Sequence, residues 1–283
     1  MVIHSDGEHP NIVRGEGGFT TFTQIIIMNE HPIYKKQPRT PEGLIYGIRP
    51  VMEAIAAGKQ IEKVYVLTTL ASSQSAELLM LCKDHEIPFL KVPLEKLNQF
   101  TRANHQGVVA TASPIEYTDI EAVIPKLYED GETPFVLILD RITDVRNFGA
   151  IARSAECSGV HAIIIPAKGG AAVNADAMKT SAGALNKIAV CRVDSLMRTV
   201  DFLQKSGLQI VACTEKTDTP YYKSKMTGPV AIIMGSEEDG IAENLLKQAA
   251  LKVSIPMIGE IGSLNVSVAA GIICYEVVRQ RGF

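Results

Sequence analysis

The chain contains 283 residues, 46% of them hydrophobic, and carries a formal net charge of −3. This is enough chain for one large domain or two ordinary ones with a substantial core. The charge does not itself indicate nucleic-acid binding, so any basic surface for RNA or DNA would have to be local. No apolar run approaches the ~20 residues of a membrane helix, and the pattern of a secretory signal is missing. We therefore expect a soluble cytoplasmic protein without membrane partners.

The cysteines are odd in number and widely spaced, and no two of them form a Cys-x-x-Cys pair. This pattern predicts neither a disulfide framework nor a zinc site. It favours reduced and mostly buried thiols, typical of a reducing compartment. The five residues are Cys82, Cys157, Cys191, Cys213 and Cys274.

Residues 1–42 lack clean periodicity and are interrupted by glycines and prolines, which predicts a poorly ordered leader. Met28 is a candidate for the true start of the chain. From Gly43 helical and strand patterns alternate, which predicts a compact α/β module over residues 43–113. Its predicted elements are a short helix after Tyr46, a strand at 63–67, a helix at 75–85, a strand at 88–92, a helical turn at 94–100 and a strand at 107–111.

Residues 114–134 are predicted to form a linker with one helix at 120–128, capped by Thr118 or Asp119. Residues 135–283 then alternate apolar strands with helices, which predicts a parallel sheet covered on both faces. The predicted strands are 135–139, 162–165, 188–191, 209–213, 230–234 and 251–255. The predicted helices are 148–158, 175–182, 195–206, 242–249 and a closing helix that runs from Ser263 and Asn265 to Arg281.

The closing helix is apolar on most of its sides, which predicts burial in a core or against a partner. One face carries Val266, Ala269, Ala270, Ile273 and Val277, and much of the other is formed by Val268, Ile272 and Tyr275.

Three loops after predicted strands are unusually polar, at residues 140–153, 234–241 and 255–271. Open α/β sheets bind ligands at the carboxyl ends of their strands, so these loops predict a ligand site. The signatures of dinucleotide-binding folds, phosphate-binding loops and zinc proteases are missing, which argues against a dehydrogenase or a nucleoside triphosphatase.

Taken together, the loops resemble the three motifs of the SpoU class of SPOUT methyltransferases, in order and in spacing. The likeness extends to residues 174–184, 45–47 and 105–107, so it covers nearly everything after Gly43. It is strongest to the bacterial enzymes that 2′-O-methylate a guanosine of 23S ribosomal RNA. The matching motifs are Asn147-x-Gly149-Ala150-Ile151-x-Arg153, Gly235-x-Glu237-x-x-Gly240 and Ser263-Leu264-Asn265-Val266-Ser267-Val268-Ala269.

The resemblance implies a C-terminal parallel sheet tied in a deep trefoil knot, whose loops form an S-adenosylmethionine pocket. It also implies an N-terminal RNA-binding domain similar to ribosomal protein L30e, and a homodimer. No metal is implied.

The resemblance further assigns roles to individual residues. The catalytic role falls on Arg153, with Asn147, Glu237, Ser263 and Asn265 around the target ribose. Contacts to the cofactor fall on Gly235, Ile255, Met257 and Leu264. Candidates for contact with RNA are Arg49, His105, Arg141, Arg146 and Lys179.

Several alternatives stay open from the sequence. Arg153 is either a general base or a fixed cation. Considered apart from the three motifs, an arginine on a helix would be interpreted as a surface ion-pair partner, here of Glu156. Ser263 and Asn265 also suit simple helix capping. The substrate is either ribosomal or transfer RNA, and a non-catalytic RNA-binding or assembly factor is the rival from another class.

Overall fold

The computed structural model describes residues 43–282, so the predicted leader and the alternative start at Met28 lie outside the described residues. The first part of the chain forms a mixed four-stranded sheet in the order β1-β4-β2-β3, with β4 antiparallel to β1 and β2. Its elements are β1 (Leu44–Tyr46), α1 (Ile48–Ala56), β2 (Ile61–Leu67), α2 (Ser73–Asp84), β3 (Phe89–Val92), α3 (Leu94–Phe100) and β4 (Val108–Ala112).

The second part forms a six-stranded sheet in the order β10-β8-β9-β5-β6-β7, and every pair in it is parallel. The predicted α/β fold with a parallel sheet is confirmed. Its strands are β5 (Phe135–Leu139), β6 (Ala162–Pro166), β7 (Ala189–Val193), β8 (Gln209–Cys213), β9 (Val230–Met234) and β10 (Leu251–Val253). Its helices are α4 (Ile120–Glu129), α5 (Val145–Cys157), α6 (Ala175–Thr180), α7 (Leu196–Lys205), α8 (Glu243–Gln248) and α9 (Val266–Arg281).

Helices cover both faces of the large sheet, because alternate residues of its apolar strands point to opposite sides. Residues of α5, α6 and α9 pack on one face, around Phe148 and Ile273. Residues of α4, α7 and α8 pack on the other, around Ile124 and Leu245. Among the described residues, no helix is both long enough and apolar enough to cross a membrane.

Two predicted boundaries near the site were wrong, and one strand of the smaller sheet was not predicted. Helix α5 begins at Val145 rather than at 148, because the Asp144 carboxylate caps it. Strand β10 ends at Val253 rather than at 255, since the next backbone N–H, of Ser254, donates to the Thr219 carbonyl outside the strands. Strand β1 was not predicted at all, because three residues are too few to show alternation.

Helix α9 is less uniformly buried than its composition predicts. Val266, Ala270, Ile273 and Val277 are buried, whereas Val268 and Tyr275 are 50% and 52% exposed. One face of α9 therefore lies in the core and another presents apolar surface.

Candidate active site

The polar loops meet where the strand order of the large sheet reverses. From β5 the chain adds β6 and β7 on one side, and then crosses to build β9, β8 and β10 on the other. The loops after β5 and β9 therefore leave from adjacent strands at the carboxyl edge, which is where open α/β sheets bind ligands.

Glu237 lies at the centre of a hydrogen-bond network that joins all three motifs. Its Oε1 accepts from Asn265 Nδ2 at 2.8 Å, from the Val266 backbone N–H at 3.2 Å and from Asn147 Nδ2 at 3.3 Å. Asn265 Nδ2 also donates to Asn147 Oδ1 at 3.0 Å. Residues far apart in the sequence thus form one polar cluster, which we call the Asn–Glu–Asn cluster (Asn147, Glu237, Asn265).

Helix capping holds two members of this cluster in place. Asp144 Oδ1 accepts from the Arg146 and Asn147 N–H groups at 2.8 Å each, and so fixes the first turn of α5. Asn265 caps α9, with Oδ1 accepting from the Ser267 N–H at 2.9 Å, while its Nδ2 faces Glu237. The two roles considered for Asn265 therefore coexist, whereas Ser263 lies outside the helix and caps nothing.

Close backbone approach requires glycine at two of the motif positions. A Cβ on Gly149 would lie 2.7 Å from the Ala177 carbonyl oxygen, so α5 and α6 could not pack as they do. A Cβ on Gly235 would lie 2.2 Å from the Gly240 carbonyl carbon, so the loop after β9 could not close on itself. The close backbone packing therefore requires glycine at both positions, whether or not a ligand also contacts them.

Two residues that directly follow β5, Asp140 and Arg141, also bind the loop after β9. Asp140 is 5% exposed, and its Oδ2 accepts from the Ala242 N–H at 2.7 Å. Arg141, in the left-handed region at φ 58°, donates from Nη2 to the Gly240 carbonyl at 2.9 Å and lies 3.3 Å from Asp239. The sequence interpretation missed the anchoring role of Asp140 and counted Arg141 only as an RNA contact.

A cavity of about 450 Å³ lies between the loops after β8, β9 and β10. Apolar side chains and several charged ones line it, which suits a cofactor that combines a ring system with polar ends. All four predicted cofactor residues border it, together with Ser263: Gly235, Ile255, Met257 and Leu264. Thr214, Glu215 and Lys216 also line it and carried no signal in the sequence.

Cys213 borders the same cavity, but its thiol is not an available nucleophile. Burial, and then the nearby Glu215 carboxylate, raise the pKa of Cys213 to about 12. Burial likewise raises the pKa of Cys82 to about 11. A neutral thiol is a weak nucleophile, so the chemistry of the site falls to its oxygen and nitrogen groups.

Arg153 is not part of the hydrogen-bond network of the Asn–Glu–Asn cluster. It lies on α5, is exposed, and forms no hydrogen bond or ion pair with any residue in the range 43–282. The carboxylate considered as its surface partner, Glu156, instead lies 3.6 Å from Lys187 Nζ. The side chain of Arg153 is therefore available to a ligand.

The candidate RNA contacts divide into two groups. Arg49, Arg146 and Lys179 are exposed, as an RNA contact requires. His105 is only 8% exposed; its Nδ1 accepts from the Gly107 N–H at 3.0 Å, and Nε2 lies 3.2 Å from Asn98 Oδ1. Both ring nitrogens thus have protein partners, which favours a structural role in the turn before β4.

Comparison with known proteins places this site in a family. The model of the SpoU rRNA methylase family matches residues 134–275, and that of the RNA 2′-O ribose methyltransferase substrate-binding domain matches residues 44–118. The chain belongs to the SpoU rRNA methylase family. It is accordingly an RNA 2′-O-methyltransferase that uses S-adenosylmethionine, as the motifs predict.

Relatives of this SpoU methylase are similar along most of their length. One is the 23S rRNA (guanosine-2′-O-)-methyltransferase RlmB of Photorhabdus laumondii, 37% identical over 246 residues, which are 84% of this chain and 98% of that one. Another is a putative TrmH family tRNA/rRNA methyltransferase of Staphylococcus saprophyticus, 35% identical over 86% of this chain and 97% of that one. The crystal structure of the SpoU methyltransferase AviRb from Streptomyces viridochromogenes with AdoMet is 25% identical, with a TM-score of 0.54 over 84% of this chain and 90% of that one.

Proposed function

We propose that this SpoU methylase transfers the methyl group of S-adenosylmethionine to the ribose 2′-hydroxyl of a guanosine in 23S ribosomal RNA, in the cytoplasm. The observation that carries the proposal is the Asn–Glu–Asn cluster, which borders the cofactor cavity through Glu237. The name and the 37% identity of the Photorhabdus relative support the RNA and the nucleotide.

The protein's task in such a transfer is alignment. S-adenosylmethionine, when bound, supplies an already activated methyl group. Glu237 and Asn147, fixed by their mutual contacts with Asn265, orient the ribose so that its 2′-oxygen faces the cavity bordered by Gly235 and Leu264. Ser263, exposed at the cavity rim, adds a hydroxyl that can bind the ribose.

Arg153 acts in this proposal as a fixed cation. Guanidinium almost never gives up its proton in proteins, which argues against a general base. Its planar fork suits a phosphate next to the target ribose, and its charge stabilises the negative charge that develops on the 2′-oxygen as the hydroxyl proton passes to solvent water. The absence of an ion pair for Arg153 among residues 43–282 supports this role.

The N-terminal unit is proposed to hold RNA away from the reacting ribose. We assign it residues 43–113, a fold similar to ribosomal protein L30e, and the exposed Arg49. Residues 114–134 are the proposed linker, and the methyltransferase domain follows from 135. Arg146 and Lys179, exposed near the start of α5 and on α6, are proposed to contact RNA on the side of the active site.

We further propose that the protein forms a homodimer and that its C-terminal domain contains a trefoil knot. The exposed apolar residues of α9, Val268 and Tyr275, support a dimer, because apolar surface on a helix is stabilised by burial against a second copy. The knot is proposed from the resemblance of the three motifs to the SpoU class, whose loops meet at the cavity here as well.

Mapping 2′-O-methylation on total RNA, from cells with and without the protein, tests the function. We expect one guanosine of 23S ribosomal RNA to lose its methyl group when the protein is missing. Loss at a transfer RNA position would instead establish the alternative substrate, which the name of the Staphylococcus relative includes beside ribosomal RNA. Unchanged methylation at every position would favour a non-catalytic RNA-binding or assembly factor.

We expect S-adenosylmethionine to bind without RNA and without metal. The described residues contain no group of three or more His, Cys, Asp or Glu side chains placed to hold a metal ion. The measurement is calorimetric titration in the presence of a chelator. Binding that disappears there and returns with a divalent cation would contradict the prediction.

Deleting residues 43–113 is expected to weaken RNA binding while leaving the affinity for S-adenosylmethionine within about twofold, because domains keep their own cores. Buried side chains of this unit form clusters separate from those of the large sheet. Gel shift and calorimetry on the same preparation measure the two affinities. A folded deletion variant that fails to bind the cofactor would refute this division of roles.

A further inference from the structure

Three buried or partly buried residues form a polar cluster where the two α/β units meet: Glu62 on β2, Arg192 on β7 and Tyr117 between them. Arg192 Nη1 lies 3.5 Å from Glu62 Oε2, and Arg192 Nη2 donates to the Ile61 carbonyl at 3.4 Å. The Arg192 guanidinium lies 4.3 Å from the centre of the Tyr117 ring, and the Tyr117 hydroxyl donates to Glu62. The side chains of Arg192 and Glu62 are 15% and 8% exposed. We call these three residues the junction cluster.

The segment between the units is bound to both of them. The Ser113 N–H donates to the Gln60 carbonyl at 2.8 Å, and the Thr118 N–H donates to the Val190 carbonyl on β7 at 2.9 Å. Ile115 and Tyr117 also pack against the core below α5 and α9. Since β7 is an edge strand of the described sheet, this segment covers an edge and cannot act there as a loose tether.

Burying a carboxylate and a guanidinium is costly unless the partners are well placed, so stability alone gives little reason for this cluster. Burial raises the pKa of Glu62, and the contacts with Tyr117 and Arg192 act against that increase. Each unit has an apolar core of its own, built from different residues. In some proteins, buried polar or ionic groups fix one arrangement among several.

We propose that the junction cluster sets the orientation of residues 43–113 relative to the active site, so that RNA bound by this unit presents its target ribose at Asn147 and Glu237. Glu62, Tyr117 and Arg192 are positioning residues and touch no reacting group. The inference rests on the proposed function, because that function assigns RNA binding to residues 43–113.

The test compares Arg192→Met with Lys252→Met, which removes an exposed cation from β10 at the opposite edge of the same sheet. We expect Arg192→Met to increase the radius of gyration in small-angle X-ray scattering. Its KM for RNA should rise about tenfold or more, which corresponds to the loss of one good contact. Its kcat at saturating RNA and its affinity for S-adenosylmethionine should stay within about twofold of wild type, since the catalytic loops are untouched. Lys252→Met should change none of these values.

Two milder variants keep the test decisive if Arg192→Met does not fold. Arg192→Lys keeps the charge but loses the planar fork, so its KM for RNA should lie closer to the wild-type value than that of Arg192→Met. Tyr117→Phe keeps the ring beneath Arg192 and removes the hydroxyl, and should raise the KM for RNA less than Arg192→Met. A lower kcat with unchanged KM and unchanged scattering would overturn the proposal. Scattering does not depend on methylation, so unchanged scattering of the Arg192→Met protein would refute the positioning role of the junction cluster. RNA that the wild-type protein leaves unmethylated would instead refute the proposed function.

Discussion

Replacing Arg153 by alanine is expected to slow methyl transfer by a factor of about 100 or more, on the order of 3 kcal/mol in the barrier, as for removal of an oxyanion donor. The side chain is exposed and has no partner among the described residues, so the loss would reflect contacts with RNA rather than a disrupted fold. Single-turnover methylation measures the effect. The affinity for S-adenosylmethionine should not change, because the cavity is built by later loops. Lys247→Ala, which removes an exposed cation from α8, is the matched control and should leave the rate unchanged.

The lysine variant separates the two roles considered for Arg153. A fixed cation predicts that Arg153→Lys keeps part of the activity, since it keeps the charge and loses only the planar fork. The rate of methyl transfer should then be lower by the same factor at every pH, and the midpoint of the pH–rate profile should stay where it is in the wild-type protein. A general base predicts a midpoint that moves to lower pH, because lysine loses its proton more readily than arginine. A midpoint that moves down with lysine would exclude the electrostatic role.

Gly235→Ala is expected to lower the affinity for S-adenosylmethionine by about 5- to 150-fold, the equivalent of a typical overpacking cost of ~1–3 kcal/mol. The added Cβ would lie 2.2 Å from the carbonyl carbon of Gly240 and 2.4 Å from its oxygen, both backbone atoms that cannot rotate away. The loop after β9 would have to open, which moves Glu237 as well as the cavity wall. Calorimetry measures the affinity, and methylation at saturating cofactor should also be slower.

Gly259→Ala is the matched control for this prediction. A Cβ at Gly259 would meet no atom within 4 Å, and the residue belongs to another loop near the same site. We expect its affinity for the cofactor to stay within about twofold of wild type, since a compatible glycine-to-alanine change acts mainly on the unfolded chain. Equal affinities of the Gly235→Ala and Gly259→Ala proteins would refute the proposed role of the tight loop.

The sequence alone determined the class of fold and the family. Apolar strands such as Phe135–Leu139 and Val230–Met234 matched their predicted bounds, because a strand buried on both faces is a continuous apolar run. The three motifs identified the family through their resemblance to the SpoU class, and the structure brings their loops together at the carboxyl edge of the sheet. Asn147, Glu237 and Asn265 were accordingly predicted to act together from positions up to 118 residues apart.

Only the tertiary structure decided how individual polar side chains are used. His105 and Arg141 had the same sequence signal as Arg146, a basic residue in a loop or at a helix start, yet two of the three bind protein atoms. The junction cluster was not predictable, since Glu62, Tyr117 and Arg192 lie on separate elements and have no periodic or motif signal. Hydrophobic periodicity records which face of an element is buried, whereas the partner of a buried charge depends on how distant elements pack together.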